Sequence, residues 1–186
     1  MGGSEDLGMS EEVRSRTVTW EDPAPGFARA VEMTGLEYIC AIFEGRFPPP
    51  PIARTMGFTG AEASEGRVRF AGEAGEFLYN PIGVVHGGFA MTLLDSALGC
   101  AVHTTLARGE RYTSVETKVN FVRPITARTG PVQCEATVVH RGRTVVTAEG
   151  RLVEERTGKL LAHGTTTCLI VEQAQRQETP GGVRTR

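Results

Sequence analysis

Two features of the chain combine residue types that could do chemistry. Asp95 stands in the run FAMTLLDSALGCAV (89–102), where its neighbours are apolar or small. A carboxylate taken out of water is costly unless it is paired. Uncompensated burial raises its pKa toward neutrality and leaves it poised as a base. A hydrogen-bonded structural aspartate, within the chain or across a subunit contact, would satisfy the same placement, so Asp95 alone leaves both roles open. The second feature is His86-Gly87-Gly88, where that run begins, just after a loop containing Gly83. The first amides of a helix have no intrahelical acceptor, and glycines let a ligand approach them closely. Such donors stabilise the oxyanion of acyl transfer, each worth roughly 10²–10³ in rate. Gly-Gly before a helix also serves as a plain turn.

Spacing links the two features. Gly88 and Asp95 are seven residues apart, roughly 10 Å along one helix. A base must come within about 3 Å of its proton, directly or through one water. A site using both features therefore takes Asp95 from a neighbouring subunit, which predicts a homodimer or a dimer of dimers with the site at the subunit interface.

These residues need a helix and a sheet to hold them. From His86 to Leu106 the apolar residues fall on nearly all faces, as in a fully buried helix. After Gly109 the period becomes two: Val115, Val119 and Phe121 alternate with Ser114, Glu116, Lys118 and Asn120 until Pro124. Val132, Cys134, Ala136 and Val138 give one face of a second strand and Val146, Ala148 and Leu152 that of a third, with Arg141-Gly142 as the turn. Thr157-Gly158 turns into a last strand, Leu160 to Val171, and Gly66 to Ala71 alternates as a strand ahead of the helix. The pattern predicts an α+β domain over 51–171, an antiparallel β-sheet wrapped around a long central helix. A short N-terminal helix and a proline-rich linker occupy 26–50, with Pro48 to Pro51 stopping the helix. Residues 1–25 and 172–186 are read as a disordered tail and a frayed tail.

The chain of 186 residues has room for one domain, and its net charge of -2 gives no general attraction to nucleic acid or an anionic membrane. Cys40, Cys100, Cys134 and Cys168 form no CxxC pair, so reduced thiols are expected, with no metal site and no disulfide scaffold. No secretory leader is recognisable, and a cytoplasmic protein is expected. A GxSxG serine-hydrolase elbow is absent.

The stretch from Asn80 to Asp95, NPIGVVHGGFAMTLLD, resembles the core motif of hotdog-fold thioesterases of the phenylacetyl-CoA (PaaI-like) and 4-hydroxybenzoyl-CoA type. Asn80 stands six residues before His86 and the acid nine after it, and Thr113 to Pro124 reads TSVETKVNFVRP, as those families arrange them. The resemblance covers about residues 55–171 and implies the hotdog fold and hydrolysis of an acyl-CoA. It further implies that the Gly87 amide polarises the thioester carbonyl, His86 shapes the loop, and Asp95 acts as base or nucleophile. Asn80 would orient the attacking water or the thioester, and Ser114 would hydrogen-bond that water or the acyl group. CoA, a part of the substrate rather than a cofactor, would meet arginines near the dimer edge, for which Arg123, Arg128, Arg141 and Arg143 are the candidates.

Two other readings use the same fold. A hotdog hydratase needs an acid and a histidine close together, but Asp95 and His103 lie eight residues apart, roughly 12 Å along the helix. A non-enzymatic acyl-CoA sensor is the other, although the first 60 residues offer no helix-turn-helix.

Overall fold

Thr34 splits the expected N-terminal helix in two: α1 (Ala24–Ala30) and α2 (Gly35–Phe43). The computed structural model describes residues 12–172; of the tails expected at 1–25 and 172–186, residues 1–11 and 173–186 lie outside them. The Thr34 hydroxyl accepts the Glu37 amide while the Glu37 carboxylate accepts the Thr34 amide, a reciprocal cap that restarts the helix. The proline run does not stop the helix as expected: α2 already ends at Phe43, ahead of left-handed Gly45, and Pro51 instead opens a further helix, α3 (Pro51–Met56), at a position where its missing N–H costs nothing. Residues 12–22 carry no helix or strand but are tethered: Arg14 pairs with Glu76, and Arg16 donates to the Thr55 and Arg54 carbonyls and covers the Phe77 ring.

The sheet has six strands rather than the five expected. β1 (Phe58–Ser64) and β2 (Arg67–Glu73) form a hairpin ahead of the long helix α4 (Gly87–His103). Then come β3 (Glu110–Phe121), β4 (Pro131–Arg141), β5 (Val145–Glu154) and β6 (Leu160–Glu172). All pairings are antiparallel, in the order β1-β2-β4-β5-β6-β3. α4 lies in the curve of the sheet, burying Phe89, Leu93, Leu94, Leu98 and Val102 against Val68 and Phe70 of β2, Val132 and Cys134 of β4, and Val146 and Leu152 of β5. This is the hotdog architecture expected from the sequence, and burial near 25 cal/mol per Å² of apolar surface is its main support.

Two expectations about faces fail. α4 is not buried all round: Met91 and Asp95, one turn apart, are exposed, and Thr92, Ser96 and His103 are half-buried beside them. In β3 a bulge between Ser114 and Glu116 reverses the alternation, so Val115 is 55% exposed while Thr117 and Val119 turn toward α4. β3 is also a free edge of the sheet, whereas the other edge strand, β1, is packed by α2. A long free edge with open Val115, Phe121 and Val122 leaves a row of unpaired backbone groups beside apolar side chains.

Candidate active site

The loop before α4 is built by its own residues. The Asn80 side-chain oxygen accepts the amides of Ile82 and Val84, and its backbone pairs with Val84 and Gly83. That leaves the Asn80 amide nitrogen uncommitted among the described residues. His86 is the helix cap: its Nδ1 accepts the Gly88 amide at 2.9 Å and its carbonyl accepts the Phe89 amide. Nδ1 must therefore be unprotonated, which leaves any proton of the neutral ring on Nε2. Of the first-turn amides, that of Gly87 has no acceptor among the described residues. It opens into a cleft of about 660 Å³ lined by His86, Gly87, Met91, Phe121, Arg123 and Pro124. The structure thus gives Gly87 the free, helix-terminal N–H that an oxyanion needs.

Asp95 accepts a hydrogen bond from the Thr117 hydroxyl at 3.1 Å, and Thr117 in turn contacts the Thr166 hydroxyl at 3.1 Å. Thr117 was not singled out in the sequence, although it stands in the same alternating set as Val115, Val119 and Phe121. A polar residue in such a set calls for a polar partner. The burial expected of Asp95 is absent from the single chain, where its carboxylate is exposed. Ser114 pairs with Cys168 across β3 and β6, which points it to the face of the sheet that carries α4; its hydroxyl has no partner among the described residues. Cys100 does not compete as a nucleophile: burial, then Asp95, pushes its thiol up to about 12.

Along the continuous α4, Gly87 and Asp95 are separated by roughly 12 Å. One chain therefore presents an oxyanion donor and a carboxylate but does not bring them together. The four candidate arginines are likewise divided. Arg123 lines the cleft and donates to the Leu160 carbonyl, and Arg128 sits on the short turn Ala127–Thr129 beyond the same end of β3. Arg141 pairs with Glu110 at 2.9 Å at the other end of β3, roughly 36 Å away, with the exposed Arg143 in the adjoining turn. Arg141 is thus spent on an intrachain ion pair, and of the four only Arg123 lines the cleft. Among the described residues no group of three His, Cys, Asp or Glu could hold a metal ion, and no helix is long and apolar enough to cross a membrane.

His103, near the end of α4, gives a pH prediction. Burial holds its imidazole down at about 4 from an ordinary 6.5. Between those values the unfolded chain binds a proton that the folded chain does not, so stability falls as pH drops from 6.5 toward 4 and is unaffected above. At 1.36 kcal/mol per pH unit the full loss is about 3 kcal/mol. Urea midpoints of the native and His103→Phe chains at pH 7 and 4.5 check this: the native chain should lose more. Equal losses would show that His103 is free to protonate in the fold.

A model of the thioesterase superfamily matches residues 82–161, a stretch that holds Gly87, Asp95 and Ser114 but stops short of Asn80. The chain is 34% identical over 86 residues to acyl-coenzyme A thioesterase 13 of Mus musculus, a match covering 46% of this chain and 59% of that one. It is thus matched over about three fifths of the mouse protein's length. With the Homo sapiens protein of the same name it shares 32% over 113 residues, covering 60% of this chain and 79% of that one. Its structure resembles that of a thioesterase-type, phenylacetic acid degradation-related protein of Ralstonia eutropha, with a TM-score of 0.64 and 30% identity, over 71% of this chain and 98% of that one.

Proposed function

The chain belongs to the thioesterase superfamily, with the PaaI-like hotdog fold, and from that premise we propose that it hydrolyses an acyl-CoA thioester to a free acid and CoA. The observation that carries the reading is the pairing of an uncommitted Gly87 amide at the start of α4 with an open, Thr117-bonded Asp95 carboxylate on the same helix. The thioester carbonyl lies against the Gly87 N–H, which strengthens its hold as negative charge grows on oxygen. His86 keeps that amide turned outward by capping Gly88. Asp95 of a second copy either takes a proton from water or attacks the carbonyl itself. Both routes put the same carboxylate in the same place.

The second copy is supported by the free β3 edge and by Val115, Phe121 and Met91, all exposed beside the Asp95 face of α4. Asn80 through its free amide nitrogen, and Ser114 through its hydroxyl, are the polar groups left to hold the attacking water or the acyl group. Arg123, in the cleft wall, and Arg128, on the turn beyond the end of β3, are the arginines this reading offers to the phosphates of CoA. The free thiols of Cys40, Cys100, Cys134 and Cys168 suit a reducing compartment such as the cytoplasm.

Release of free thiol from aryl, short, medium and long acyl-CoAs by the purified chain tests the reading. Turnover of at least one class is expected. Binding of acyl-CoA with no thiol released from any of them would make the protein an acyl-CoA sensor instead.

A further inference from the structure

Thr166, on β6, is buried to 2% exposure. It shares its face of the strand with Ala162, Gly164, Cys168 and Ile170, all buried and none carrying a hydroxyl. A hydroxyl in such a place is costly unless it is bonded. That of Thr166 donates to the Glu116 carbonyl at 2.7 Å, beside the β3 bulge, and stands 3.1 Å from the Thr117 hydroxyl. The Cys168 sulfur, at 3.9 Å, is a weak third partner. Thr117 in turn lies 3.1 Å from Oδ1 of Asp95. A row of oxygens therefore runs from the exposed carboxylate on α4, through Thr117 and Thr166, to a backbone carbonyl of the sheet.

The row has three oxygen-to-oxygen contacts, and with Asp95 ionised it has two protons to fill them, one on each hydroxyl. Thr166 spends its proton on the Glu116 carbonyl, which can only accept. The proton of Thr117 then faces two acceptors at the same 3.1 Å, and the charged one takes it. The contact between the two threonines is left without a hydrogen. One proton added at Asp95 completes the row: Asp95 donates to Thr117, Thr117 to Thr166, and Thr166 to the carbonyl. Hydrogen bonds running in one direction also polarise one another.

We infer that Thr117 and Thr166 are positioning residues whose hydrogen-bond row makes Asp95 the base of the hydrolysis and not its nucleophile. The inference rests on the thioesterase reading of the site. Water gives a proton to Asp95 while its oxygen bonds to the thioester carbonyl carbon. The carboxyl, on an exposed side chain, turns its new O–H to Thr117, and Thr117 turns to Thr166. When the tetrahedral intermediate collapses, the C–S bond breaks and the sulfur leaves with the electron pair. It takes the proton from Asp95, which yields the free acid and the CoA thiol and returns the row to its first state. A carboxylate that attacked the carbonyl would gain no proton and would lose the charge that holds the Thr117 hydroxyl, so the row would stay one proton short.

Two measurements test this. The first is kcat and KM for the best acyl-CoA substrate in Thr117→Val, Thr166→Val, Thr117→Ser and Thr166→Ser, with a melting curve for each. Valine keeps the shape of threonine and removes the hydroxyl, so kcat should fall about tenfold, a part of the roughly 10²–10⁴ that a positioned base contributes, with KM unchanged. Serine keeps the hydroxyl and should regain most of the rate. A packing role predicts the opposite order, since serine lacks the methyl group that valine retains. The second measurement needs no variant: a single turnover by excess native chain in heavy-oxygen water should label the free acid and leave Asp95 unlabelled. Label in Asp95, valine chains as fast as the native one, or serine chains no faster than valine would overturn the inference alone. Hydrolysis of no acyl-CoA by the native chain would remove the thioesterase reading and this inference with it.

Discussion

In the Asp95→Asn chain, thiol release from the best acyl-CoA substrate is expected to fall by about 10³-fold. The carboxamide has nearly the shape of the carboxylate, and its oxygen can still accept the Thr117 hydroxyl that stands 3.1 Å from Asp95. What it lacks is the charge, and with it both the capacity to take a proton from water and the capacity to attack a carbonyl. The fold should be indifferent: Asp95 is exposed on the open stripe of α4 and supports no core contact, so the melting temperature should stay within about 2 °C. A rate loss of less than tenfold would reduce Asp95 to a partner for Thr117.

The second large effect is on stability. Gly35 begins α2, and its amide donates to the Leu106 carbonyl at 2.9 Å, which seats α2 on the end of α4. The seat is so close that a Cβ on residue 35 would lie 1.7 Å from the His103 carbonyl oxygen and 2.7 Å from its carbon. Neither atom belongs to a side chain that could swing away, so Gly35→Ala must push the two helices apart. The expected cost is about 3 kcal/mol, which in a chain of this size lowers the melting temperature by roughly 6–12 °C. An unchanged melt would mean that α2 does not dock on α4 in this way.

What could be read from the sequence follows from how strongly each element is patterned. The strands of 67–73, 131–141, 145–154 and 160–172 show their buried face as period-two runs, and Val68, Phe70, Val132, Cys134, Val146 and Leu152 are indeed buried. β1, with sequence FTGAEAS, gives no such signal, because Gly, Ala, Glu and Ser are poor strand formers and the strand is held by β2 and α2 rather than by its own propensity. The reciprocal cap of Thr34 and Glu37 was legible as a Thr-x-x-Glu pattern but was hidden inside a longer apolar period.

At the site, the Gly-Gly helix start pointed to open first-turn amides, and that of Gly87 has no acceptor among the described residues. The resemblance gave His86 a part in shaping the loop, but its capping of the Gly88 amide through Nδ1 was not read, since histidine is not among the residues that ordinarily cap a helix. Thr117 keeps the face that the alternation with Val119 gives it, and was missed because its partner, Asp95, lies on another element 22 residues away; the bulge hid instead the exposure of Val115. The burial of Asp95 was inferred from one chain's composition. The exposed stripe of Met91 and Asp95 shows why that inference failed: it is narrow, and the buried Phe89, Leu93, Leu94, Ala97 and Leu98 around it dominate the composition of the run. The arginines were the least legible, since the ion pair of Arg141 with Glu110 joins residues 31 apart.

The central claim is that each site combines Gly87 of one copy with Asp95 of another. Mixing two inactive chains tests it most directly: Asp95→Asn, and Gly87→Val, which blocks the cleft beside the helix start. After joint unfolding and refolding at equal amounts, about half of the dimers are mixed, and each mixed dimer regains one intact site, so roughly a quarter of native activity should return. Activity that stays at the level of the separate variants, with mixed dimers demonstrably present, would contradict the account and place both groups in the service of a single chain.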